Sequence, residues 1–281
     1  MESRVSPVQG ERGRLALRLF GLEFLSFTRA ALPSFVGLAL VLAAWQAIVV
    51  ITEPRPDILP SPWRVFLMGW RFRAVLWENL LPTLEETLVG LVVTVMAASA
   101  LAIVADFFPT VRRVLYPILV VSQTIPIIVI APLMVIWFGY GLVSKIVVIV
   151  VVTFFAITVA LSDGLDAAEP EATNLMRSMG ATRWQQFMMV RLPGALPHFF
   201  TGLRISITWS VTAAIFGEYV GAEKGLGIFM QISKNDFRTD LVLAAVIVSS
   251  VMSLILFAVC YFLQRLCIPW YTQMQRRGQR S

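Results

Sequence analysis

Long apolar stretches are the feature that most constrains how this chain can fold. The apolar core of a bilayer is about 30 Å thick, and a helix needs roughly 20 apolar residues to cross it. Backbone polar groups cannot stay unpaired in lipid, so such stretches predict helices. Six stretches of the sequence approach or exceed that length, at about 34–51, 84–105, 115–138, 146–161, 199–220 and 241–263. We therefore predict an all-α polytopic membrane protein, a bundle of about six transmembrane helices.

The composition of the chain supports a membrane protein and argues against several other classes. Hydrophobic residues make up 58% of the sequence and charged residues only 14%, with a net charge of +6. In a membrane protein, a positive balance is explained by cytoplasmic loops, so we predict no nucleic-acid partner. The one histidine, His198, follows Pro197 at a predicted membrane edge, so we predict no metal site and no catalytic residue. Cys260 and Cys267 lie seven residues apart on one predicted helix, too far to form a disulfide.

Basic residues are distributed unequally between the two sides of the predicted bundle. With six spans, both chain ends lie on one side, together with the loop after the second span and the central polar loop. That side carries roughly twice as many Lys and Arg residues as the other, which is typical of the cytoplasmic side. We therefore predict a cytoplasmic arm at 1–33, one transmembrane domain at 34–268 with a cytoplasmic loop at 162–197, and a cytoplasmic tail at 269–281.

The central loop at 162–197 begins with the pattern of a short amphipathic helix. Pro170 suits a first helical turn because the missing N–H is not needed there. An apolar stripe at helical spacing follows, formed by Ala172, Leu175, Met176 and Met179. Gly180 then supplies the residue that most easily takes the left-handed conformation at a helix end.

The same loop continues with the pattern of a second short helix. Thr182 and Gln185 have the spacing of a capping box, which predicts a helix start. The apolar stripe of this helix consists of Trp184, Phe187 and Met188. Pro193 and Pro197 are predicted to stop it. Two short helices joined by a tight turn leave apolar faces that the loop cannot bury by itself, so we expect another surface to cover them.

The third apolar stretch contains both prolines and polar residues. Pro117, Pro126 and Pro132 lie within it, and Gln123 and Thr124 form a polar pair. A proline at this depth frees a carbonyl that needs a partner or a water-lined cavity, and broken helices expose backbone to the solute in many transporters. A simple kink for packing is the alternative. We take Gln123, Thr124 and Pro126 as candidate pathway residues.

Glu218 is a fourth pathway candidate. A charge at the centre of a span costs about 2.5–3.5 kcal/mol on insertion scales, so a carboxylate there is expected to face a cavity or a partner. Glu218 lies near the end of its predicted span, so a satisfied interfacial charge is the alternative. We interpret Asp106 as a boundary charge, place Lys145 in an outer loop, and expect Arg204 to extend to the cytoplasmic surface.

The loop has the spacing of a known family motif. The interval from Gly180 to Pro193 resembles the "EAA loop" of permease subunits of binding-protein-dependent ABC importers. That pattern is Glu-Ala-Ala, three residues, Gly, nine residues and Ile-x-Leu-Pro. Here Val190 replaces Ile, and the opening triplet is replaced by Asn174, Leu175 and Met176. Segments at 132–141, 192–204 and 217–227 extend the resemblance, which covers about 58–268 and is to the sulfonate, taurine, nitrate and thiamine-pyrimidine-precursor branch.

The resemblance implies a multi-pass subunit of a bacterial inner membrane that is not itself an enzyme. ATP and Mg²⁺ would bind a separate cytoplasmic ABC ATPase, with no cofactor on this chain. A solute-binding protein would deliver the solute, and a second copy of the permease would complete a homodimer surrounded by lipid. The residues implied in contact with the ATPase are Asn174, Leu175, Met176, Met179, Gly180, Ala181, Thr182, Trp184, Leu192 and Pro193.

The substrate and the class of protein leave alternatives open. The segment at 217–227 is similar to permeases for thiamine-pyrimidine precursors and related heterocycles, and a sulfonate, taurine or nitrate permease is the alternative. An ion-coupled secondary transporter would show ionisable residues in mid-span and internal repeats, and neither is clear here. A membrane-tethered helix-turn-helix regulator is disfavoured because acidic residues balance the basic ones in the central loop. The glycines at 221–227 lack the spacing of a phosphate-binding loop, so ATP must bind elsewhere.

Overall fold

The computed structural model describes residue 33 and residues 36–168 and 170–270. The described helices are α1 (Val36–Thr52), α2 (Pro62–Arg71), α3 (Arg73–Phe107), α4 (Pro109–Ser122), α5 (Ile127–Phe138), α6 (Leu142–Asp166), α7 (Pro170–Ser178), α8 (Arg183–Gln186), α9 (Leu192–Gly221), α10 (Leu226–Asn235) and α11 (Thr239–Cys267). A π-helical turn at Phe187–Arg191 joins α8 to α9. The predicted all-α membrane fold is confirmed. The predicted arm at 1–33 and tail at 269–281 lie almost wholly outside the described residues.

The predicted number of six spans is not confirmed. Within the described residues, four helical segments are long and apolar enough to cross a membrane: α3, α6, α11 and the continuous segment Arg183–Gly221. Helices α4 and α5 bend by 104° at their break and count as a fifth span if they are taken together. The first predicted span corresponds to α1, a shorter apolar helix.

The chain divides into two compact units, Met1–Phe66 and Leu67–Ser281. In the described part of the first unit, the indole Nε1 of Trp45 donates a hydrogen bond to the carbonyl of Pro60 at 3.1 Å. This bond ties α1 to the proline-rich connector that follows it. Helix α2 crosses the boundary between the units, and the second unit contains α3 to α11 and both candidate sites.

Helix α6 lies between α3 and α9 in the second unit, and small residues allow these helices to approach closely. A Cβ atom added to Gly202 of α9 would lie 2.6 Å from the Ala156 carbonyl oxygen of α6. A Cβ atom added to Gly90 of α3 would lie 2.7 Å from Ile149. Small residues at helix contacts are the usual means of close packing in membranes, where lipid removes most of the hydrophobic driving force.

Several predicted boundaries at proline residues are wrong. Pro193 and Pro197 do not stop the second short helix, because the chain continues through the π-helical turn into α9. Pro193 lies in the first turn of α9, where a missing N–H is tolerated, and Pro197 lies within the helix. Helix α3 contains Pro82 and begins well before the predicted start at 84. Residues 62–77 are divided between α2 and the start of α3, and the segment after the fifth apolar stretch contains α10.

Candidate coupling element and solute cavity

The two short helices of the central loop form as the local sequence predicts. At the end of α7, Gly180 has a φ of 81°. The N–H of Gly180 bonds the Arg177 carbonyl and that of Ala181 bonds the Met176 carbonyl, both at 3.0 Å, which is a Schellman helix end. The Gln185 N–H donates to Thr182 Oγ1 at 3.3 Å, and the Thr182 N–H donates to Gln185 Oε1 at 2.8 Å. The predicted turn and capping box are therefore present. We call 170–191 the coupling element.

The coupling element presents apolar side chains outward and anchors itself with one aromatic group. Its exposed large apolar side chains are Leu175, Met179, Trp184, Met188 and Met189. Phe187, which the sequence predicts on the same stripe as Trp184, is only 2% exposed. Its ring packs against Phe107 at the end of α3, with 5.3 Å between ring centroids, and stacks on Trp184 at 5.6 Å. Of the remaining predicted contact residues, Leu192 and Pro193 lie in the first turn of α9 and are half-buried.

Arg191 fastens the coupling element to two spanning helices. Its guanidinium forms a bidentate ion pair with the Asp106 carboxylate at the end of α3. The Nη1–Oδ2 distance is 2.8 Å and the Nη2–Oδ1 distance is 2.7 Å. It also donates to the carbonyl of Leu165 at the end of α6, from Nη2 at 3.1 Å. A second ion pair, between Arg112 and Asp166, links α4 to α6. Asp106 therefore belongs to an ion pair that joins the start of α9 to the end of α3, and it is not a simple boundary charge.

We expect Arg191→Met to destabilise the protein by about 2–3 kcal/mol, because it leaves the Asp106 carboxylate without its charged donor. Arg191→Lys should recover only part of this loss, since an ammonium group cannot form the two-pronged bond. The matched control is Arg204→Met, because Arg204 bonds only Phe200 and Thr201 of its own helix among the hydrogen bonds described. Thermal unfolding in detergent measures both changes. Equal losses of stability for Arg191→Met and Arg204→Met would contradict a stabilising role for the Arg191–Asp106 ion pair.

The second site is a cavity of about 610 Å³ at the break between α4 and α5. The helices separate after Ser122 and resume at Ile127, so the predicted interruption is a true break rather than a gentle kink. Gln123 and Pro126 line the cavity from the break. Helix α6 contributes Phe155 and Asp163, and α9 contributes Trp209. The walls are largely apolar, with two aromatic rings, one amide and one carboxylate among them.

The structure brings together only two of the four predicted pathway residues. Gln123 and Pro126 line the cavity, whereas Thr124 is exposed and its hydroxyl donates to the Val121 carbonyl at 2.8 Å. Glu218 does not line the cavity and lies near the end of α9. Sequence reasoning missed the cavity residues of α6 and α9. Their stretches are continuously apolar, so no pattern indicates which face of each helix lines the cavity.

Glu218 belongs to a buried polar group that involves four helices. Its side chain has no exposed surface, and its Oε1 accepts a hydrogen bond from Thr83 Oγ1 of α3 at 2.5 Å. Its Oε2 accepts the N–H of Gly227 of α10, also at 2.5 Å. Lys145 is buried in α6, with Nζ 2.5 Å from Glu86 Oε1, so placing it in an outer loop was wrong. Glu218 does not line the cavity, and its carboxylate has hydrogen-bond partners, as the alternative of a satisfied charge expects.

Comparison with known proteins decides the family. Residues 90–273 match the family described as "Binding-protein-dependent transport system inner membrane component". The chain belongs to this family. The permease is 37% identical to the formylaminopyrimidine transport permease ThiX of Halalkalibacterium halodurans, over 77% of this chain and 87% of that protein. It is 32% identical to the riboflavin transport permease RibX of Chloroflexus aurantiacus, over 92% and 96%. It is 31% identical to the taurine transport permease TauC of Escherichia coli, over 88% and 93%.

The fold is similar to that of solved ABC transporters. A chain of an amino acid ABC transporter, solved with histidines, superposes with a TM-score of 0.57 at 17% identity, covering 73% of this permease and 97% of that chain. This likeness concerns the fold alone.

Family membership confirms several predictions made from sequence. The permease is a multi-pass inner-membrane subunit of a binding-protein-dependent ABC importer and is not itself an enzyme. It therefore works with an ATPase and a solute-binding protein. Its relatives fall in the predicted sulfonate, taurine, nitrate and thiamine-precursor branch. The alternatives of an ion-coupled secondary transporter and of a membrane-tethered regulator are set aside.

Proposed function

We propose that this permease imports a small planar nitrogen heterocycle related to the thiamine-pyrimidine precursors. The observation that carries the proposal is the cavity at the α4–α5 break, where Phe155 and Trp209 offer aromatic faces and Gln123 offers an amide. Aromatic rings stack on planar ligands. An amide can donate hydrogen bonds to ring nitrogens and accept them from amino groups. ThiX and RibX, which are similar to this chain, are named for the transport of formylaminopyrimidine and riboflavin, ring compounds of this kind.

The charge of the cavity favours a heterocycle over a sulfonate. Among the described residues that line it, Asp163 is the one charged side chain, and it is acidic. A carboxylate facing an anionic solute is repulsive, and such repulsion is a common means of rejecting a wrong ligand. The sulfonate group of taurine or of an aliphatic sulfonate, the alternative, would gain no countercharge from this lining.

The coupling element is proposed as the docking site of the ATPase. Leu175, Met179 and Trp184 present apolar surface at the end of the bundle, and the Gly180 turn fixes the angle between the two short helices. The triplet Asn174, Leu175 and Met176 offers no acidic side chain, so docking would depend on shape and apolar contact rather than on charge. ATP and Mg²⁺ would bind the ATPase chain, and this chain would hold no cofactor.

The arrangement of the whole transporter follows from the same proposal. The excess of basic residues supports a cytoplasmic position for the coupling element and both chain ends. Trp209 is 52% exposed and the cavity is open on one side, so a second copy of the permease would complete its wall in a homodimer. The solute-binding protein would then deliver the solute from the opposite face of the membrane.

The test is uptake into proteoliposomes that contain the permease, its ATPase and its binding protein. We expect ATP-dependent uptake of radiolabelled formylaminopyrimidine and little uptake of taurine. Trp209→Ala should lower heterocycle uptake about tenfold, because removal of a stacking face costs about 1.5 kcal/mol beyond area burial. Trp137→Ala is the matched control, since Trp137 is 66% exposed on α5 and does not line the cavity. Preferred uptake of taurine, or equal effects of the two substitutions, would refute the assignment.

A further inference from the structure

The N-terminus of α10 is capped by side chains of other helices. Its own N-cap residue, Gly225, has no side chain to do so. Instead, the N–H of Gly225 donates to Asn79 Oδ1 at 3.0 Å and the N–H of Leu226 donates to Thr83 Oγ1 at 2.9 Å. The N–H of Gly227 donates to Glu218 Oε2 at 2.5 Å. Three of the amides that a helix start leaves without internal partners are thus satisfied by α3 and α9.

Two glycines allow the chain to come this close to the carboxylate. A Cβ atom added to Gly225 would lie 2.3 Å from Glu218 Cδ, and the backbone of Gly225 has a φ of 140°, which other residues rarely adopt. A Cβ atom added to Gly227 would lie 2.5 Å from the Ile215 carbonyl and 2.8 Å from Glu218 Cβ. The close approach of α10 to Glu218 therefore depends on the glycine backbone at 225–227 as much as on the Glu218 carboxylate.

The contacts continue from α10 into the centre of the bundle. Thr83 accepts from Leu226 and donates to Glu218, so one hydroxyl joins three helices. Glu86 lies one turn further along α3, its carboxyl group is a neighbour of Glu218, and Lys145 of α6 pairs with it. We call Asn79, Thr83, Glu86, Lys145 and Glu218 the cap cluster. Thr83, Glu86, Lys145 and Glu218 are buried.

Glu218 of the cap cluster and the coupling element are at opposite ends of one continuous helix. Helix α9 runs from Leu192 to Gly221, and at 1.5 Å per residue its 30 residues span about 45 Å. Arg191 precedes its first turn, and Glu218 lies in its last turn. A displacement of the coupling element therefore moves the acceptor to which α10 is attached.

We propose that Thr83 and Glu218 are positioning residues for transport, which fix α10 to the end of α9 so that movement driven at the coupling element reaches the surface offered to the binding protein. The inference rests on the proposed docking of the ATPase and on the proposed orientation. Separation of α10 from α3 and α9 would leave buried amides and a buried carboxylate oxygen without partners, which is strongly unfavourable. Because Thr83 also bonds Glu218, helix α10 moves with the end of α9.

The first measurement is hydrogen–deuterium exchange of the purified permease in lipid nanodiscs. Thr83→Val keeps the shape of the side chain and removes the hydroxyl, so the amides of 225–229 should exchange about tenfold faster as the cap opens more often. Thr83→Ser should retain the wild-type rate. Thr158→Val is the matched control, because Thr158 is also buried and its hydroxyl bonds the Phe154 carbonyl of its own helix. If Thr83→Val fails to fold, Asn79→Ala removes a single cap and should give a smaller increase in the same segment.

The second measurement is ATPase stimulation by the loaded binding protein in the assembled transporter. Thr83→Val should raise the concentration of binding protein needed for half-maximal stimulation about fivefold, a shift that a loss of folded protein alone would not produce. Thr83→Ser should keep the wild-type half-maximal concentration. The KM for ATP should be the same in both variants as in the wild type. Unchanged exchange at 225–229 would overturn the inference, and so would faster exchange with an unchanged half-maximal concentration. A wild-type transporter that shows no stimulation at all would mark failure of the proposed function itself and remove the inference with it.

Discussion

Replacement of Lys145 by Met should be among the most damaging single substitutions in the second unit, lowering the free energy of unfolding by about 3–5 kcal/mol. The Lys145 ammonium group is 2.5 Å from Glu86 Oε1, and both residues are buried, at 9% and 4% exposure. Glu218 is a second carboxyl group beside them. Loss of the one cation leaves Glu86 in a low-dielectric interior without its partner, while its other oxygen, Oε2, is already buried without a hydrogen bond.

A double variant separates the cost of an unpaired charge from the value of the pair. Glu86→Gln combined with Lys145→Met removes both charges at similar volume, and we expect it to recover most of the loss, since neutral replacements of buried pairs are often tolerated. Lys234→Met, at an exposed lysine of α10, is the control for the loss of a positive charge. Folded yield and thermal unfolding in detergent measure all three. A Lys145→Met variant as stable as wild type would contradict the buried pair.

The coupling element could be predicted from sequence because its signals are local. Gly180 has to adopt a positive φ, and Thr182 and Gln185 satisfy each other across one turn. None of these features depends on the rest of the chain, so the pattern and the folded segment agree. The prediction that Pro193 and Pro197 stop a helix failed because tertiary packing overrides the local signal: α9 continues through Pro197, as α3 continues through Pro82.

The charged groups that organise the bundle could not be predicted because their partners are distant in sequence. Arg191 meets Asp106 across 85 positions, and Lys145 meets Glu86 across 59. A single sequence marks each of them only as an interruption of an apolar stretch, which favours a place in a loop or at a boundary. The structure instead pairs opposite charges at buried or partly buried positions, where each offsets part of the desolvation cost of the other.

The capacity of the coupling element to transmit force can be tested at Gly180 with little risk to the fold. A Cβ atom added at Gly180 has nothing within 4 Å, so its only penalty is the φ of 81°. A β-branched residue in that conformation costs about 2 kcal/mol, which is enough to open the turn between α7 and α8. We expect Gly180→Val to abolish most of the ATP-driven uptake while the ATPase remains able to hydrolyse ATP.

The control for Gly180→Val is a second glycine with the same free space and an ordinary conformation. Gly194 of α9 also has nothing within 4 Å of an added Cβ atom, and its φ is not positive. Because Val is accommodated in a helix, Gly194→Val should leave uptake near the wild-type rate. The ratio of solute imported to ATP hydrolysed in proteoliposomes distinguishes the two variants. An unchanged ratio in Gly180→Val would mean that the turn angle between the two short helices does not carry the motion, and the coupling role of this element would have to be abandoned.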